Sequence, residues 1–310
     1  MQEKNFLPSP GKREKNQTAS LGDATQLLSD RSFNIIMLVL IGLGAILRLR
    51  EFVNGRSLWL DEAMLAINIL ERSFLGLTQQ PMEYGQSAPI GFVIVVKFFS
   101  LFLGDSEYAL RLYSLLVGLA ASLLMVWLAN KLLGRVGALL AVTFFSFSPF
   151  LIYYSAELKQ YMGDVAGGLV LLFLFIRHIE KPVVAVNWKD HLLLGLSGAV
   201  LLWFSHPVLF VAAGIGTLLF VHALMTQDKR LITQTIGLLA LWGISFGTLY
   251  LINLRHLTSS DLLLDFWADG FMPLPPWSPG GGNGSGEFGL PCWIIRSRSK
   301  PIHGWCLHSL

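Results

Sequence analysis

Between residues 33 and 251 the chain strings together apolar stretches of a length that water-soluble cores do not need. The clear runs are 33–49, 109–129, 136–153, 162–176, 207–225 and 231–251, with a shorter one at 191–205 that Ser205-His206-Pro207 brings to an end. A helix crossing the hydrocarbon of a bilayer takes about 20 apolar residues, with roughly 17 to 25 tolerated, and proline halts a helix by removing a donor. Composition agrees: 53% of the residues are hydrophobic and 14% charged, whereas soluble domains carry about a quarter charged residues. The expected fold class is therefore an all-α polytopic membrane protein. The net charge of +3 is spread along the chain, which argues against a nucleic-acid partner.

One segment is ambiguous. Residues 88–103 are apolar enough to cross but carry Lys97 at their centre. Short cytoplasmic loops are rich in Lys and Arg, and that rule chooses between two topologies. If 88–103 lies flat in the interface as an amphipathic helix, the turn at 130–135, the loop at 177–190 and the turn at 226–230 all face the cytoplasm. Those segments hold Lys131, Arg135, Arg177, Lys181, Lys189, Lys229 and Arg230. If 88–103 spans instead, all three flip outside and Lys159 is left almost alone within. The first arrangement gives about seven spans and a cytoplasmic N-terminus. Interfacial helices then occupy a first extracytoplasmic loop at 50–108.

Domain boundaries follow. Residues 1–31 are polar (Lys4, Lys12, Arg13 and Lys15 among Ser, Gln and Asn) and read as a disordered cytoplasmic tail. They do not form a signal peptide, because the apolar run after Arg31 is long enough to stay as a span and no small-residue cleavage site follows. The transmembrane domain covers 32–277. From 278 to 310 the chain turns Gly-rich, then basic with Cys292 and Cys306, and reads as an atypical tail, truncated or frame-shifted. Neither cysteine has a metal or redox spacing.

Chemistry concentrates on the outer side. Ser57-Leu58-Trp59-Leu60-Asp61-Glu62-Ala63 sets two adjacent acids in an apolar bed. Acids favour helix N-termini, which is the ordinary explanation; the functional one is that an apolar bed raises a carboxylate's proton affinity and suits it to general-base work. The loop Tyr153-Tyr154-Ser155-Ala156-Glu157-Leu158-Lys159-Gln160-Tyr161 returns to the same side. Lys159 is either a lysine snorkelling at a helix end or a cation held opposite the acids, with Gln160 and Tyr161 as donors to a phosphate. Arg111 follows Glu107 by four residues, the spacing of a salt bridge within a helix, and also lies where a lipid phosphate is within reach. Gln86-Ser87-Ala88-Pro89 forms a turn and helix start. His206 is a helix-break residue on the same outer face. No metal-ligand cluster or Gly-rich phosphate loop occurs in the sequence. The expectation is no cofactor, with a divalent metal left open.

In order and spacing these pieces resemble the GT-C glycosyltransferases that use polyprenyl-phosphate sugars, close to the protein-mannosyltransferase and aminoarabinose-transferase group (family 39-like). The pieces are Leu58 to Ala63, Gln86 to Pro89, Gly104 to Leu112 and Tyr153 to Tyr161, and the likeness runs from about residue 33 to 275. The resemblance implies an acid of the first outer loop acting at the acceptor, here Asp61 with Glu62 beside it. It implies a donor-phosphate grip by Lys159, Tyr161 and Arg111. Gln86, Glu157, Gln160 and His206, on the same outer face, are the candidate lining of the substrate pocket. The resemblance also implies a polyprenyl-phosphate-linked sugar as donor, a glycan, lipid or protein as acceptor, and an extracytoplasmic active site in the cell membrane among its lipids. Some relatives carry a Glu-Lys pair where this chain has Gln86 and Ser87. A transporter, an assembly subunit or an inactive truncated transferase are the competing readings. Transporters keep ionisable groups near the midplane and often show internal repeats, whereas these charges gather at one interface.

Overall fold

The computed structural model describes residues 29–182 and 187–255. The expected tail before residue 29 and the whole of 278–310 lie outside the described residues. Among those described, every regular element is helical: α1 Asp30–Val53, α2 Leu60–Glu71, α3 Phe74–Gln79, α4 Ile90–Leu103, α5 Glu107–Leu132, α6 Arg135–Phe147, α7 Pro149–Tyr154, α8 Tyr161–Ile179, α9 Trp188–Leu201, α10 Val208–Thr226 and α11 Lys229–Leu249, the last running into a π-helical turn at Tyr250–Leu254.

Local chemistry sets the helix ends. Serine hydroxyls cap α1, α3 and α5, with Ser29 accepting from the Ser32 amide, Ser73 from Gly76 and Ser106 from Ala109. Asn187 caps α9 and Asp228 caps α11. Each such cap satisfies an amide that the helix leaves without a partner. At the far end of α4, Gly104 takes φ +82°, a conformation that side chains with a Cβ avoid.

Five helices are long and apolar enough to cross a membrane: α1, α5, α8, α10 and the continuous Lys229–Leu254. Two of the seven expected spans are shorter. The run 136–153 is split at Ser148-Pro149 into α6 and α7, since a residue preceding proline is driven out of the helical region. The run 191–205 yields α9, of 14 residues, followed by a turn. The break at Ser148 leaves the last carbonyls of α6 open, and Arg48 of α1 fills them. Its guanidinium is fully buried and donates to the carbonyls of Ser146 (3.1 Å), Phe145 (2.9 Å) and Gly44 (3.0 Å).

Helix α4 has 14 residues, about 21 Å at 1.5 Å per residue, short of a bilayer's hydrocarbon. Lys97 is accounted for within the protein: its Nζ donates to the Leu70 carbonyl at the end of α2, 2.8 Å away. Helix α5 is the hub, packing against α1, α4, α6 and α8. Its first half shares a core with α2, α3 and α4 through Leu65, Ile69, Phe92, Val96, Leu110 and Tyr113. A second core, with Leu171, Leu194, Ile215, Leu238 and Trp242, joins α8 to α11. Large apolar side chains such as Leu38, Phe144, Phe210 and Met225 point outward, as hydrocarbon surroundings permit.

Candidate active site

The adjacent acids at the start of α2 face different surroundings. Glu62 is fully buried, and its two oxygens accept four hydrogen bonds: from Arg111 Nε (3.1 Å), Arg111 Nη2 (2.9 Å), the Leu158 amide (2.7 Å) and the Trp59 amide (3.0 Å). The Trp59 bond is the reach-back half of a capping box, so a local helix signal places this carboxylate. Arg111 Nη1 goes on to the Arg56 carbonyl at 2.5 Å. The pair thus ties the start of α2, the start of α5 and the 155–160 loop together. Burial pushes the Glu62 pKa up, but the Arg111 bonds and charge and the two amides outweigh it, and the result lies below the ordinary carboxylate value. Arg111 pairs across the fold with Glu62, not along its own helix with Glu107; Glu107 instead accepts from the Leu58 amide at 3.3 Å.

Asp61 points outward, with 67% of its side chain exposed. Its Oδ2 lies 3.1 Å from Lys159 Nζ and its Oδ1 accepts from Gln86 Nε2 at 3.2 Å. Lys159 Nζ also donates to Gln86 Oε1 at 3.1 Å, closing a triangle of three side chains from three segments. Burial pushes the Asp61 pKa up, but the hydrogen bonds from Lys159 and Gln86 together with the Lys159 charge outweigh it and bring the result below the ordinary value. The expectation of a raised proton affinity at Asp61 is corrected here: solvent reaches the carboxylate and a cation touches it. An acid of the 155–160 loop that does show this property is Glu157. Burial, reinforced by the Glu62 charge, pushes it to about 7 against the pull of Arg56, Lys159 and Arg111. Its Oε2 is buried with no partner among the described residues.

Two supports position this cluster. Gln86 follows a tight turn in which Tyr84 (φ +59°) and Gly85 (φ +64°) are both left-handed and the Gln86 amide donates to the Glu83 carbonyl at 3.2 Å, the pattern of a type I′ turn. Asn68 of α2 grips that turn, accepting from the Glu83 amide (2.8 Å) and donating to its carbonyl (3.3 Å). The 155–160 loop lies on α5, where the Ser114 hydroxyl is 2.7 Å from the Glu157 carbonyl and 3.2 Å from that of Lys159. Gly118 lets the loop come close, since a Cβ there would sit 2.5 Å from Ser155 Oγ.

The remaining expected site residues are more dispersed. Tyr161 opens α8 with its ring 4.8 Å from that of Tyr154. Gln160 is half-buried, with Oε1 unpartnered among the described residues. His206 lies at the corner between α9 and α10, where it lines a separate apolar cleft of about 290 Å³ with Leu202, Phe246 and Leu249. Sequence reasoning passed over Arg56, whose guanidinium stacks 3.7 Å from the Tyr153 ring centroid and donates to the Ala156 carbonyl at 3.3 Å. It also passed over Asp164, which carries a buried, unpartnered Oδ1 in the first turn of α8. The signal for Asp164 was available, because an acid inside an apolar span marks a functional position by default; for Ser114 there was none. Among the described residues no group of three His, Cys, Asp or Glu side chains is arranged to hold a metal ion.

The family described as dolichyl-phosphate-mannose-protein mannosyltransferase matches residues 86–252, more than half of the chain. The match takes in Gln86, Arg111, Glu157, Lys159, Gln160, Tyr161 and His206 and begins after Asp61 and Glu62. Neither the curated proteins nor the solved structures compared with the chain gave a match.

Proposed function

The chain belongs to the dolichyl-phosphate-mannose-protein mannosyltransferase family and is a membrane glycosyltransferase of the polyprenyl-phosphate-sugar type, and from that premise we propose that transfer occurs at the Asp61–Gln86–Lys159 triangle, on the extracytoplasmic side and with inversion. An acceptor O–H or N–H attacks the anomeric carbon while the bond from that carbon to the phosphate oxygen breaks. Polyprenyl phosphate departs from the opposite face with the electron pair. The acceptor's proton passes to the Asp61 carboxylate.

The observation that supports this reading is the 3.1 Å contact between Asp61 and Lys159, 98 positions apart in the chain, at a point open to solvent. Before donor arrives, Lys159 neutralises Asp61 and keeps it a weak base. A donor phosphate competes for Lys159, and as that cation turns to the leaving group, Asp61 loses its partner and its proton affinity rises when a base is needed. Lys159 also stabilises the charge that grows on the departing phosphate, an effect worth about 3 kcal/mol for a well-placed donor. Glu157, poised near neutrality, offers a protonated carboxyl to a phosphate oxygen or sugar hydroxyl, and Tyr161 and Gln160 line the same approach. Glu62 and Arg111 act as positioning residues, because their polar groups are spent on each other and on the backbone. Gln86 holds both Asp61 and Lys159, and His206 lines the apolar approach for the prenyl chain.

Membranes containing the protein, supplied with a radiolabelled polyprenyl-phosphate sugar, test the proposal. Label should pass to acceptor with wild type and not with Asp61→Asn. An Asp61→Asn protein that inserts normally and transfers at the wild-type rate rules the assignment out.

A further inference from the structure

Buried polar atoms that lack partners among the described residues gather at the two ends of helix α8. Glu157 Oε2, Gln160 Oε1 and Asp164 Oδ1 surround its beginning, where the proposed substrates would meet them. His178 Nδ1 and Thr235 Oγ1 lie at the other end, about 27 Å away for the 18 residues from Gln160 to His178 at 1.5 Å each. Folded proteins leave few buried polar groups unsatisfied, and the transfer reaction accounts for none of this second set.

His178 and Thr235 border a cleft of about 290 Å³ between α8, α10 and α11. His178 and Thr235 are 6% and 1% exposed, and with Lys181 and His222 they supply its polar lining, while Leu219 and Leu231 form apolar walls. Glu180, which also lines the cleft, is paired with Lys131 at 2.7 Å, and Lys181 is paired with Asp190 at 2.5 Å, so a ligand there shares the Lys181 ammonium, which has three donors, with Asp190. An adjoining cleft shares His178 and Lys181 and adds Arg177. A hydroxyl, two imidazoles that each carry a donor when neutral, and a lysine thus converge from three helices and a loop. The cleft lies at the end of α8 and beside the first turns of α11, where spans meet the headgroup layer.

We propose that this cleft binds a phosphate group, carried by the headgroup of a membrane lipid or supplied as the free ion. A phosphate offers several acceptor oxygens in different directions, which matches donors arriving from separate elements. The apolar walls suit the glycerol and first methylenes of a lipid. This site lies at the opposite end of α8 from the proposed transfer chemistry and does not depend on it.

The test uses the full chain in detergent, with native mass spectrometry to count bound phosphatidic acid and phosphorus NMR line broadening to detect inorganic phosphate. Phosphatidic acid adducts on the wild type with no broadening of inorganic phosphate assign the lipid source; broadening without adducts assigns the free ion. Thr235→Val removes one hydroxyl at nearly constant volume, and Lys181→Met alters a residue at the surface. Each should weaken binding about tenfold, the loss of one hydrogen bond to a charged group. The proposal is overturned if the wild type takes up neither probe, or if both variants bind as the wild type does.

Discussion

Exchanging the two adjacent acids for their amides, one at a time, should separate the fold from the chemistry. In Glu62→Gln the oxygen on one side can still accept from Arg111 Nε and the Leu158 amide. The new amide nitrogen then faces Arg111 Nη2 and the Trp59 amide, donor against donor, at the positions now 2.9 and 3.0 Å from Oε2. The guanidinium, 3% exposed, loses its counter-charge in a place water does not reach. Removing one member of a buried ion pair costs about 3–5 kcal/mol. Asp61→Asn differs in kind. Its carboxylate is 67% exposed, so solvent screens the Lys159 contact and about 0–1 kcal/mol is at stake. Denaturant unfolding in detergent micelles, followed by tryptophan fluorescence, should therefore show Glu62→Gln strongly destabilised and Asp61→Asn near wild type, with the activity loss of Asp61→Asn occurring in a folded protein. The same experiment carries a pH signature. The Glu62 pKa is depressed by folding, so its contribution is present above the ordinary carboxylate value and is lost as pH falls through the folded value. Wild type should lose stability in that acid window and Glu62→Gln should lose less. A Glu62→Gln protein that unfolds within about 1 kcal/mol of wild type would refute the division of labour between the two residues.

Other outcomes follow from the same geometry. Lys159→Met should reduce transfer about 10²–10³-fold, read as initial rates against donor concentration, with Asp61 left ionised and without its cation. Glu157 has a folded pKa of about 7, above its ordinary value, so it favours the protonated form and its stabilising effect disappears as pH rises through 7; transfer rates measured across neutrality should show an inflection that Glu157→Gln removes. Gly118→Ala places a methyl 2.5 Å from Ser155 Oγ and should cost about 1–3 kcal/mol, lowering transfer because the loop bearing Lys159 is pushed off α5. For sidedness, Ser57 and Lys131 are both exposed and lie toward opposite ends of α5. Single cysteines at these positions, in a background lacking Cys292 and Cys306, should react with an impermeant reagent from opposite faces of the membrane.

Long apolar runs were legible because burial in hydrocarbon is a property of composition over some 20 residues; α1, α5, α8, α10 and α11 all lie within a few residues of where those runs put them. Lys97 by itself left 88–103 ambiguous, and its bond to the Leu70 carbonyl became visible only in the folded chain. The choice of outer-side residues also came from sequence, since three loops assigned to one face had to supply any shared site, and Asp61, Gln86 and Lys159 do meet. What each residue does there was decided by the tertiary structure. Asp61 and Glu62 are chemically almost equivalent and adjacent, and only the direction of the α2 start sends one to solvent and the other under the 155–160 loop. Arg111 has a suitable local partner in Glu107 and a better one in Glu62, 49 positions away, which no spacing rule ranks. Proton affinity followed the same logic: it depends on the charges and water around a carboxyl after folding, so it fell at Asp61, where the apolar flanking sequence suggested a rise, and rose at Glu157. Apolar length is written residue by residue along the chain, whereas desolvation and ion pairing exist only once distant segments have been brought together.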